Sequence, residues 1–454
     1  MKSFPSQKVG ITPATSLFFP LLSLSLCVAP FSHAQVDSLP QQIRTLGVID
    51  TIIVTGNEHT KEYVILNEMT LKPGSKATPE AIEFDRNRIY SLGLFTSVDI
   101  FYDTREGVRF LNVNVGERWY LIPVPVIGFR DGELKKLFFG GGLLHNNVSG
   151  RNQRLFALIV FGYNPSLSLS FSNPLIDRDN RLFFSGGLSY SRIRNQSKIA
   201  SEVTGDFDER HYDINITLGK RFNLYALAGV TLGSQIVDID NYQPGRTVSP
   251  TGRDWFLYGT MSFAYDSRDL REYASRGQYL SLYITKYGFG ESDVNHTRIG
   301  ADLREYVPLP LDLVFASRVY GTIVSGGLVP TYSRAYFGYG ERIRGYFNTV
   351  FEGENLLGTT VELRYPLLKA RTINVTALPL PAEFSVWRFG ISLSLFGDAG
   401  LTWFRGDTIR LGSFASGYGA GVIFLLPYSY VVRTEYAFNE YFKGQFILNV
   451  RGPI

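Results

Sequence analysis

Residues 118–454 contain many short stretches in which apolar and polar residues alternate with a period of two. In SLSLSFSNP, Leu167, Leu169 and Phe171 fall on one face of a strand, with serines on the other. The same alternation recurs in HYDINITLGK, QYLSLYI, GTTVELRYP, FGISLSLFGDAGLTW, YSYVVRTEYAF and KGQFILNV. Because successive side chains of a strand point to opposite faces, this repetition predicts many strands, each with one apolar and one polar face.

A soluble β-sandwich would show the same alternation as a membrane β-barrel. The residues at the strand ends distinguish these two folds. Aromatic residues are concentrated there, at Trp119, Tyr120, Trp255, Phe256, Tyr258, Trp403 and Phe404. Aromatic girdles are typical of barrels that cross a membrane, where a sheet closes because an open edge leaves backbone groups unsatisfied. At about 20 residues per strand and connection, the region predicts a transmembrane antiparallel β-barrel of about 16 strands. The expected fold class is therefore mainly β.

The first 34 residues have the composition of a targeting segment. Lys2 and Lys8 precede the apolar run LFFPLLSLSLCVAPF, and the small residues Ser32 and Ala34 stand before Gln35. This order predicts a secretory signal peptide over residues 1–34 and disfavours a membrane anchor, since prolines interrupt the run. Cys27 is the only cysteine, so cleavage would leave a mature chain without disulfides or thiol chemistry.

Residues 45–117 differ from the rest and predict a small β-α-α-β-β domain. VIDTIIVTGN predicts a strand that ends in a turn, and HTKEYVILNEMTL has helical spacing. ATPEAIEFDRNRIYSLGLF predicts a second helix, with Thr78 as its cap and Pro79 at its first position. TSVDIFYD and GVRFLNVNVGE then predict a pair of strands.

Motifs for enzymatic chemistry are scarce in this chain. The histidines have no metal-ligand spacing, and no G-x-S-x-G nucleophile elbow is present. The glycines of GYGAG and GGG favour close packing over phosphate binding. A net charge of +4 without long basic runs gives no indication of nucleic-acid binding. We therefore expect no enzyme, no cofactor, no metal and no nucleic-acid partner.

Charged residues at predicted inward positions form the one polar constellation of interest. Alternation along the predicted strand GTTVELRYP places the apolar residues Val361, Leu363 and Tyr365 towards lipid. The residues between them, Glu362 and Arg364, then face the lumen.

By the same rule Ile391, Leu393, Leu395 and Leu401 face lipid, which turns Asp398 inward. Buried carboxylates need water or a cation. The nearby loop GYGERIRGYF carries Arg342 and Arg344, and Arg344 can meet such carboxylates with its planar guanidinium if the loop folds inward. The spacing alone favours the alternative, an exposed loop.

Several motifs, taken together, give this chain a family resemblance. RIRGYF resembles the (V/I)-R-G-(F/Y) motif of the BamA/TamA superfamily of outer-membrane assembly and transport barrels, and LFGDAGLTW resembles its F-x-D-x-G-x-x-W motif. YDSRDLREYASRGQYLSL is similar to its D-x-R-(D/N)…P-x-x-G segment without the proline, and GYGAGVIFLLPYSYVVRTEYAF to its penultimate-strand region. VTGN and LGLFTSVDI in residues 45–117 resemble a POTRA (polypeptide-transport-associated) domain.

The resemblance implies a lumen loop motif formed by Ile343, Arg344, Gly345 and Tyr346. Its arginine would pair with Asp398, and Glu362 would be a second acidic partner. It also implies a seam between the first and last strands of the barrel in residues 118–454. The expected location is the outer membrane of a Gram-negative-type bacterium, with the POTRA domain in the periplasm. The expected partners are client outer-membrane or secreted polypeptides, outer-membrane lipid and accessory lipoproteins.

The favoured function is an outer-membrane protein assembly or insertion factor, which pairs client strands with the POTRA edge and the barrel seam. The alternatives are a polypeptide secretion pore with a dedicated partner, and a passive barrel or surface antigen. The single POTRA domain and the terminal sequence FILNVRGPI depart from the pattern of the main assembly factors.

Overall fold

The computed structural model describes residues 46–129, 136–289, 292–374, 386–427 and 430–451. The predicted signal peptide lies outside the described residues. Among the helices that are described, none is long and apolar enough to cross a membrane.

Residues 46–117, which we call the front module, contain five strands and two helices. These are β1 (Gly47–Val48), β2 (Thr51–Thr55), α1 (Glu62–Leu66), β3 (Lys76–Ala77), α2 (Pro79–Tyr90), β4 (Phe95–Arg105) and β5 (Val108–Glu117). A three-stranded sheet has the order β2-β5-β4, with β2 parallel and β4 antiparallel to β5. The short strands β1 and β3 form a further pair that the sequence did not predict.

The helices of the front module form for the local reasons that the sequence contains. The Thr78 hydroxyl accepts a hydrogen bond from Ala81 N at 3.2 Å, and Pro79 occupies the first helical position of α2. Ile82 and Ile89 on α2 pack with Leu111 and Val113 on β5 in one apolar core. α1 has only five residues and is shorter than the predicted helical segment.

The rest of the described chain is almost entirely strand. Its elements are β6 (Leu121–Phe129), β7 (Leu137–Val148), β8 (Gln153–Gly162), β9 (Ser166–Asp177), β10 (Leu182–Arg194), α3 (Lys198–Thr204), β11 (Asp208–Arg221), β12 (Ala226–Ile239), β13 (Arg253–Asp266), β14 (Gly277–Tyr287), β15 (His296–Pro308), β16 (Val314–Gly326), β17 (Ala335–Phe337), β18 (Phe351–Gly353), β19 (Asn355–Asn374), β20 (Val386–Trp403), β21 (Ala415–Leu426), β22 (Tyr430–Asn439) and β23 (Gly444–Arg451). Short 3-10 helices lie at Thr331–Ser333 and Leu411–Ser413.

Sixteen of these strands form one antiparallel sheet, which confirms the predicted mainly β class and strand number. The strands follow chain order from β6 to β16 and then from β19 to β23, while β17 and β18 pair with each other. Neither terminal strand has a second partner among the described residues, so β6 and β23 are the two edges of the sheet.

The two faces of the sheet differ as the alternation predicts. On β19, Val361 and Tyr365 are exposed while Glu362 and Arg364 are buried. On β20, Leu393 and Leu395 are exposed while Asp398 is buried. The outer face is therefore apolar and the inner face polar, the reverse of a soluble protein.

Three residues predicted for the outer face or its aromatic girdles are not exposed there. Leu401 is buried instead of exposed. Phe256, which was assigned to an aromatic girdle, is also buried and packs against Tyr332 and Tyr287. Tyr120 is likewise not free for a girdle, because its hydroxyl lies 2.9 Å from the Thr60 hydroxyl in the front module. Trp119 and Trp255 are exposed.

The front module and the longest described connection lie at opposite ends of the sheet. Lys61 N in the front module donates to Gly150 O, at the turn where β8 begins. β16 runs in the same direction as β8, so the connection to β19 lies at the far end. This connection, residues 327–354, folds back against the inner face, and we call it the lumen loop. It contacts strands from β11 to β23, because the sheet curls around it.

Candidate functional site

The lumen loop is built from local turns and a short hairpin. Ala335 pairs with Gly353 and Phe337 with Phe351, which brings the ends of the motif-bearing segment together. Gly338 and Gly345 have φ of +99° and +95°, a backbone conformation that glycine adopts without strain. The loop therefore turns sharply on both sides of Arg344.

Arg344 binds Asp398 on β20 through three hydrogen bonds. Its Nε and Nη2 atoms donate to Oδ2 at 2.8 Å and to Oδ1 at 2.7 Å. Its backbone N donates to Oδ2 at 3.0 Å. The guanidinium and carboxylate thus meet in a two-pronged arrangement, and the backbone bond fixes the loop in register with the wall.

Two further carboxylates meet the other terminal nitrogen of Arg344. Nη1 donates to Glu435 Oε1 on β22 at 2.9 Å and to Glu362 Oε2 on β19 at 3.2 Å. Arg364 Nε donates to Glu362 Oε1 at 2.6 Å, and Arg433 Nη1 to Glu362 Oε2 at 2.9 Å.

Three cations and three carboxylates therefore share one buried network. We call it the lumen centre, and it consists of Arg344, Arg364, Arg433, Glu362, Asp398 and Glu435. Its formal charges balance. The guanidinium of Arg344 also lies over the Phe396 ring, 3.6 Å from the ring centre. A buried charge is tolerated when it is paired and fully hydrogen-bonded, and removal of one partner is correspondingly costly.

Ile343 anchors the loop on its apolar side. Its side chain is buried with Phe337 from the loop and with Tyr320 and Leu356 from the wall. A Cβ atom on Gly400 would lie 2.6 Å from Phe337 and 2.7 Å from Ile343, so only glycine leaves room for both. The loop is thus held by apolar packing beside the ion pairs.

Gly345 and Tyr346 complete the predicted motif. A Cβ on Gly345 would lie 2.7 Å from the Phe438 carbonyl oxygen, and one on Gly417 only 1.6 Å from the Arg344 carbonyl oxygen. Gly417 belongs to GYGAG, whose glycines therefore serve close backbone approach. The Tyr346 hydroxyl donates to Glu440 Oε1 at 2.8 Å.

Sequence reasoning left Arg342 without a role, and the structure supplies one. Its Nε donates to Tyr339 O at 3.0 Å and its Nη1 to Phe347 O at 2.8 Å. The guanidinium also lies 4.2 Å from the centre of the Phe347 ring. Arg342 therefore ties the lumen loop to itself, whereas Arg344 ties it to the wall.

A second attachment of the loop was missed entirely. Glu341 accepts hydrogen bonds from both terminal nitrogens of Arg318 on β16, at 2.9 and 2.8 Å. Arg318 also binds Asp302 on β15, at 2.8 Å. The loop therefore presents an acid to β16 and a base to β20, on either side of β19.

Glu435 and Arg433 were also missed, although the sequence contained a signal for them. YSYVVRTEYAF alternates, and the parity that turns Tyr436 outward turns both charged residues inward. Their distance from the loop in sequence gave no indication that they would meet Arg344.

The turn between β13 and β14 joins the lumen centre to the front module. Arg364 Nη1 donates to Ala274 O at 3.3 Å, and the Arg364 guanidinium lies 4.6 Å from the centre of the Tyr273 ring. Leu270, four residues before Ala274, is buried in the core of the front module. Asp269 accepts hydrogen bonds from Leu270 N and Ser275 N, both at 2.9 Å, and so fixes the turn.

A second buried arginine network lies where the front module meets the sheet. Arg88 Nη2 on α2 donates to Glu68 Oε2 at 2.8 Å, and Arg221 Nη1 on β11 donates to Glu68 Oε1 at 2.6 Å. Arg88 also donates to Leu224 O at 3.0 Å and to Asp266 O at 3.2 Å. We call Glu68, Arg88 and Arg221 the junction centre.

The electrostatics of the junction centre favour the charged form of its single acid. Burial by itself raises the pKa of Glu68, but the nearby Arg221 and Arg88 outweigh this effect and hold the pKa below the usual glutamate value. Within the described part of the chain, no group of three or more His, Cys, Asp or Glu side chains is arranged to hold a metal ion. The ion pairs of the two centres hold parts of the molecule together. The junction centre joins the front module to the sheet, and the lumen centre joins the lumen loop to the inner face.

Comparisons with known proteins agree with this architecture. The sequence profile of the Omp85 superfamily domain matches residues 147–445, and a POTRA profile described as a surface antigen variable number repeat matches residues 47–118. The chain is 22% identical over 309 residues to the outer membrane protein assembly factor BamA of Nitratidesulfovibrio vulgaris. This match covers 66% of the chain but only 37% of that protein.

Two solved structures resemble the fold. A BamA from Haemophilus ducreyi lacking POTRA domains 1–3 superposes with a TM-score of 0.53 at 14% identity, covering 89% of this chain and 85% of that one. CdiB from Escherichia coli superposes with a TM-score of 0.52 at 12% identity, covering 89% of this chain and 75% of that one. At such identities the likeness concerns the fold, and it confirms the barrel architecture. Because the Omp85 profile matches more than half of the sequence, the chain belongs to the Omp85 superfamily.

Proposed function

We propose that this protein is an outer-membrane assembly or insertion factor that acts on client polypeptides. The observation that carries the proposal is that β6 and β23, the first and last strands of the sheet, each have one edge without a partner strand among the described residues. In lipid an unpaired edge leaves N–H and C=O groups without partners, so it is a strong acceptor for an incoming strand. The likeness to the Nitratidesulfovibrio relative, an outer membrane protein assembly factor, supports the same function.

The proposed location is the outer membrane of a Gram-negative-type bacterium, with the POTRA domain in the periplasm. The exposed apolar faces of β19 and β20 support contact with lipid. The front module would meet clients before the barrel does, through the outer edges of β2 and β4, which pair with no further strand in the part of the chain that the structure describes. Strand addition at such an edge uses backbone hydrogen bonds and therefore accepts many sequences.

In this proposal the work is mechanical and not enzymatic, because strand pairing makes and breaks no covalent bond. Arg344 and its partners Asp398, Glu362 and Glu435 would hold the lumen loop inside the barrel while strands exchange at the seam. Accessory lipoproteins are proposed as further partners on the resemblance alone.

The second candidate is a secretion pore, and its support is the fold likeness to CdiB. The position of the lumen loop favours insertion over secretion. Glu341 and Arg344 hold the loop to β16 and to β20, so a polypeptide that displaced the loop in order to cross the lumen would have to break both sets of ion pairs. A client that paired at the seam would leave them intact.

Depletion of the protein from its host distinguishes these functions. An insertion factor predicts that many other outer-membrane barrels lose their folded, heat-modifiable form and accumulate unfolded in the periplasm. If the other barrels stay folded while a single secreted polypeptide accumulates, the insertion proposal is wrong and the secretion pore replaces it. If neither changes, the protein is a passive barrel.

A further inference from the structure

The open edge of β6 contains two prolines at alternate positions, Pro123 and Pro125. Asn146 N donates to Tyr120 O at 2.9 Å, and Val124 lies opposite Gly142 in the ladder. Backbone groups of successive residues point to opposite sides of a strand. The even-numbered residues of β6 therefore bond β7, and the odd-numbered residues point to the open edge.

Both prolines thus face the open edge. A proline has no N–H, so two successive donor positions on this edge are vacant between Leu121 and Ile127. A strand that paired here would bury two carbonyl oxygens against proline rings. In lipid, where water cannot satisfy these oxygens, such a pairing is strongly disfavoured.

The open edge of β23 has the opposite character. Asn439 N donates to Lys443 O at 3.2 Å, and Phe438 lies opposite Gly444. By the same alternation, the open-edge positions of β23 are Gly444, Phe446, Leu448 and Val450. Each of them has an N–H, so the donor series along this edge is complete.

We propose that the seam is one-sided, and that an extended client strand pairs with the β23 edge and not with the β6 edge. The occupant is a strand of a membrane-barrel polypeptide, which continues the existing β22–β23 ladder by one antiparallel strand. Its apolar residues would lie beside the outward side chains of Phe446, Leu448 and Val450, which are 66%, 59% and 58% exposed. Its polar residues would face the lumen with Gln445 and Asn449. This inference rests on the proposed function, since it assigns the edge at which a client is received.

Disulfide trapping tests the assignment directly, because Cys27 is the only cysteine in the chain. In a Cys27→Ser background, Leu448→Cys and Ile127→Cys place matched probes on outward, open-edge positions of β23 and β6. The probe is the peptide DERHYDINITLGKR, the sequence of β11, with cysteine in place of the first of its two isoleucines, Ile214. Purified protein in lipid vesicles is incubated with this peptide under mild oxidation. The account predicts a trapping yield about tenfold higher for Leu448→Cys, the difference expected from two missing hydrogen bonds.

Restoring the missing donors provides the internal control. Pro123→Val with Pro125→Val is expected to raise the yield at Ile127→Cys to that at Leu448→Cys, with heat-modifiable mobility reporting that the barrel stays folded. Equal yields on the two edges of the unaltered strands, or no trapping at either edge, would overturn the inference. A high yield of the Ile127→Cys to Leu448→Cys disulfide without peptide would also overturn it, because β6 would then occupy the edge.

The outcome is separable from that of the proposed function. The rate at which the cysteine-free protein inserts an unfolded client barrel into the same vesicles is measured independently. Trapping confined to β23 without accelerated insertion would support the one-sided seam and contradict the assembly function. Accelerated insertion with trapping on β6 would support the assembly function and contradict the one-sided seam.

Discussion

The lumen centre and the junction centre are both buried arginine networks, but they differ in charge balance. The lumen centre sets three arginines against three carboxylates, whereas the junction centre sets two arginines against the single acid Glu68. At the junction, backbone carbonyls such as Leu224 O accept the remaining hydrogen bonds. The arginines of the lumen centre therefore depend mainly on side-chain carboxylates, while those of the junction centre depend on one carboxylate and on the position of the turns.

The two centres also join different parts of the molecule. Arg344 connects a loop to the wall of its own barrel, whereas Arg88 connects the POTRA domain to the barrel turns. One turn contacts both: Asp266 O, just before it, accepts from Arg88, and Ala274 O accepts from Arg364. We therefore expect damage at the lumen centre to release the loop, and damage at the junction centre to release the POTRA domain.

The largest effect is expected from Asp398→Ala. Arg344 would lose the acceptor of three hydrogen bonds, and breaking a buried ion pair of this kind costs about 3–5 kcal/mol. Trypsin cleavage within the lumen loop of the vesicle-bound barrel should accelerate strongly. Asp312→Ala is the matched control, since Asp312 forms an exposed pair with Lys369 that contributes at most about 1 kcal/mol. Equal cleavage rates in the two variants would show that Asp398 does not hold the loop.

Glu68→Ala should have a somewhat smaller effect, confined to the junction. Arg88 and Arg221 would lose their shared acid but keep their carbonyl acceptors, so we expect a loss nearer about 3 kcal/mol. Hydrogen exchange should increase in α2 and in the turn around Leu224, with the lumen loop unchanged. Glu83→Ala on the same helix, at an exposed ion pair, is the control. Faster exchange in the lumen loop would mean that the two centres are not independent.

Acidification should loosen the junction by the same route. The pKa of Glu68 lies below its unfolded value, so its stabilisation is complete above the usual glutamate pKa of about 4.3 and is lost as the pH falls below that value. Hydrogen exchange in α2 of the wild type should therefore become faster as the pH falls below about 4. Glu68→Gln should remove this part of the pH dependence. An identical pH profile in the variant would assign the effect to other carboxylates.

The smallest effect is expected from Arg342→Ala. This arginine donates to Tyr339 O and Phe347 O within the loop, and the loss of these two hydrogen bonds should cost about 1–3 kcal/mol. Loop cleavage should increase less than in Asp398→Ala. A larger increase would show that internal ties, and not the wall, determine the loop's position.

The sequence predicted the lumen centre better than the junction centre for a physical reason. Parity along β19 and β20 turned Glu362 and Asp398 inward, and the family resemblance supplied the loop that meets them. Strand period is a local property and can be read from any stretch of the chain. The contact between Arg88 and the carbonyl of Leu224 spans 136 positions and depends on how the POTRA domain packs under the barrel, which no local pattern encodes.

The same limit explains the misplaced aromatics. Phe256 lies at a strand end, where a girdle is expected, but the lumen loop covers it through Tyr332. The sequence did not predict the pairing of Glu341 with Arg318, because the curvature of the sheet determines which strand faces this part of the loop.

The central claim is that the lumen loop must be held inside the barrel. The rate at which Arg344→Ala folds a client barrel into vesicles, compared with that of the wild type, tests this claim directly. Both proteins are reconstituted into vesicles, and the folded fraction of each is matched by heat-modifiable mobility before an unfolded client barrel is added. The account predicts that Arg344→Ala inserts normally itself but accelerates client folding at least about tenfold less, with Arg344→Lys intermediate because lysine cannot bind Asp398 through two parallel hydrogen bonds. Wild-type acceleration by a folded Arg344→Ala barrel would contradict it.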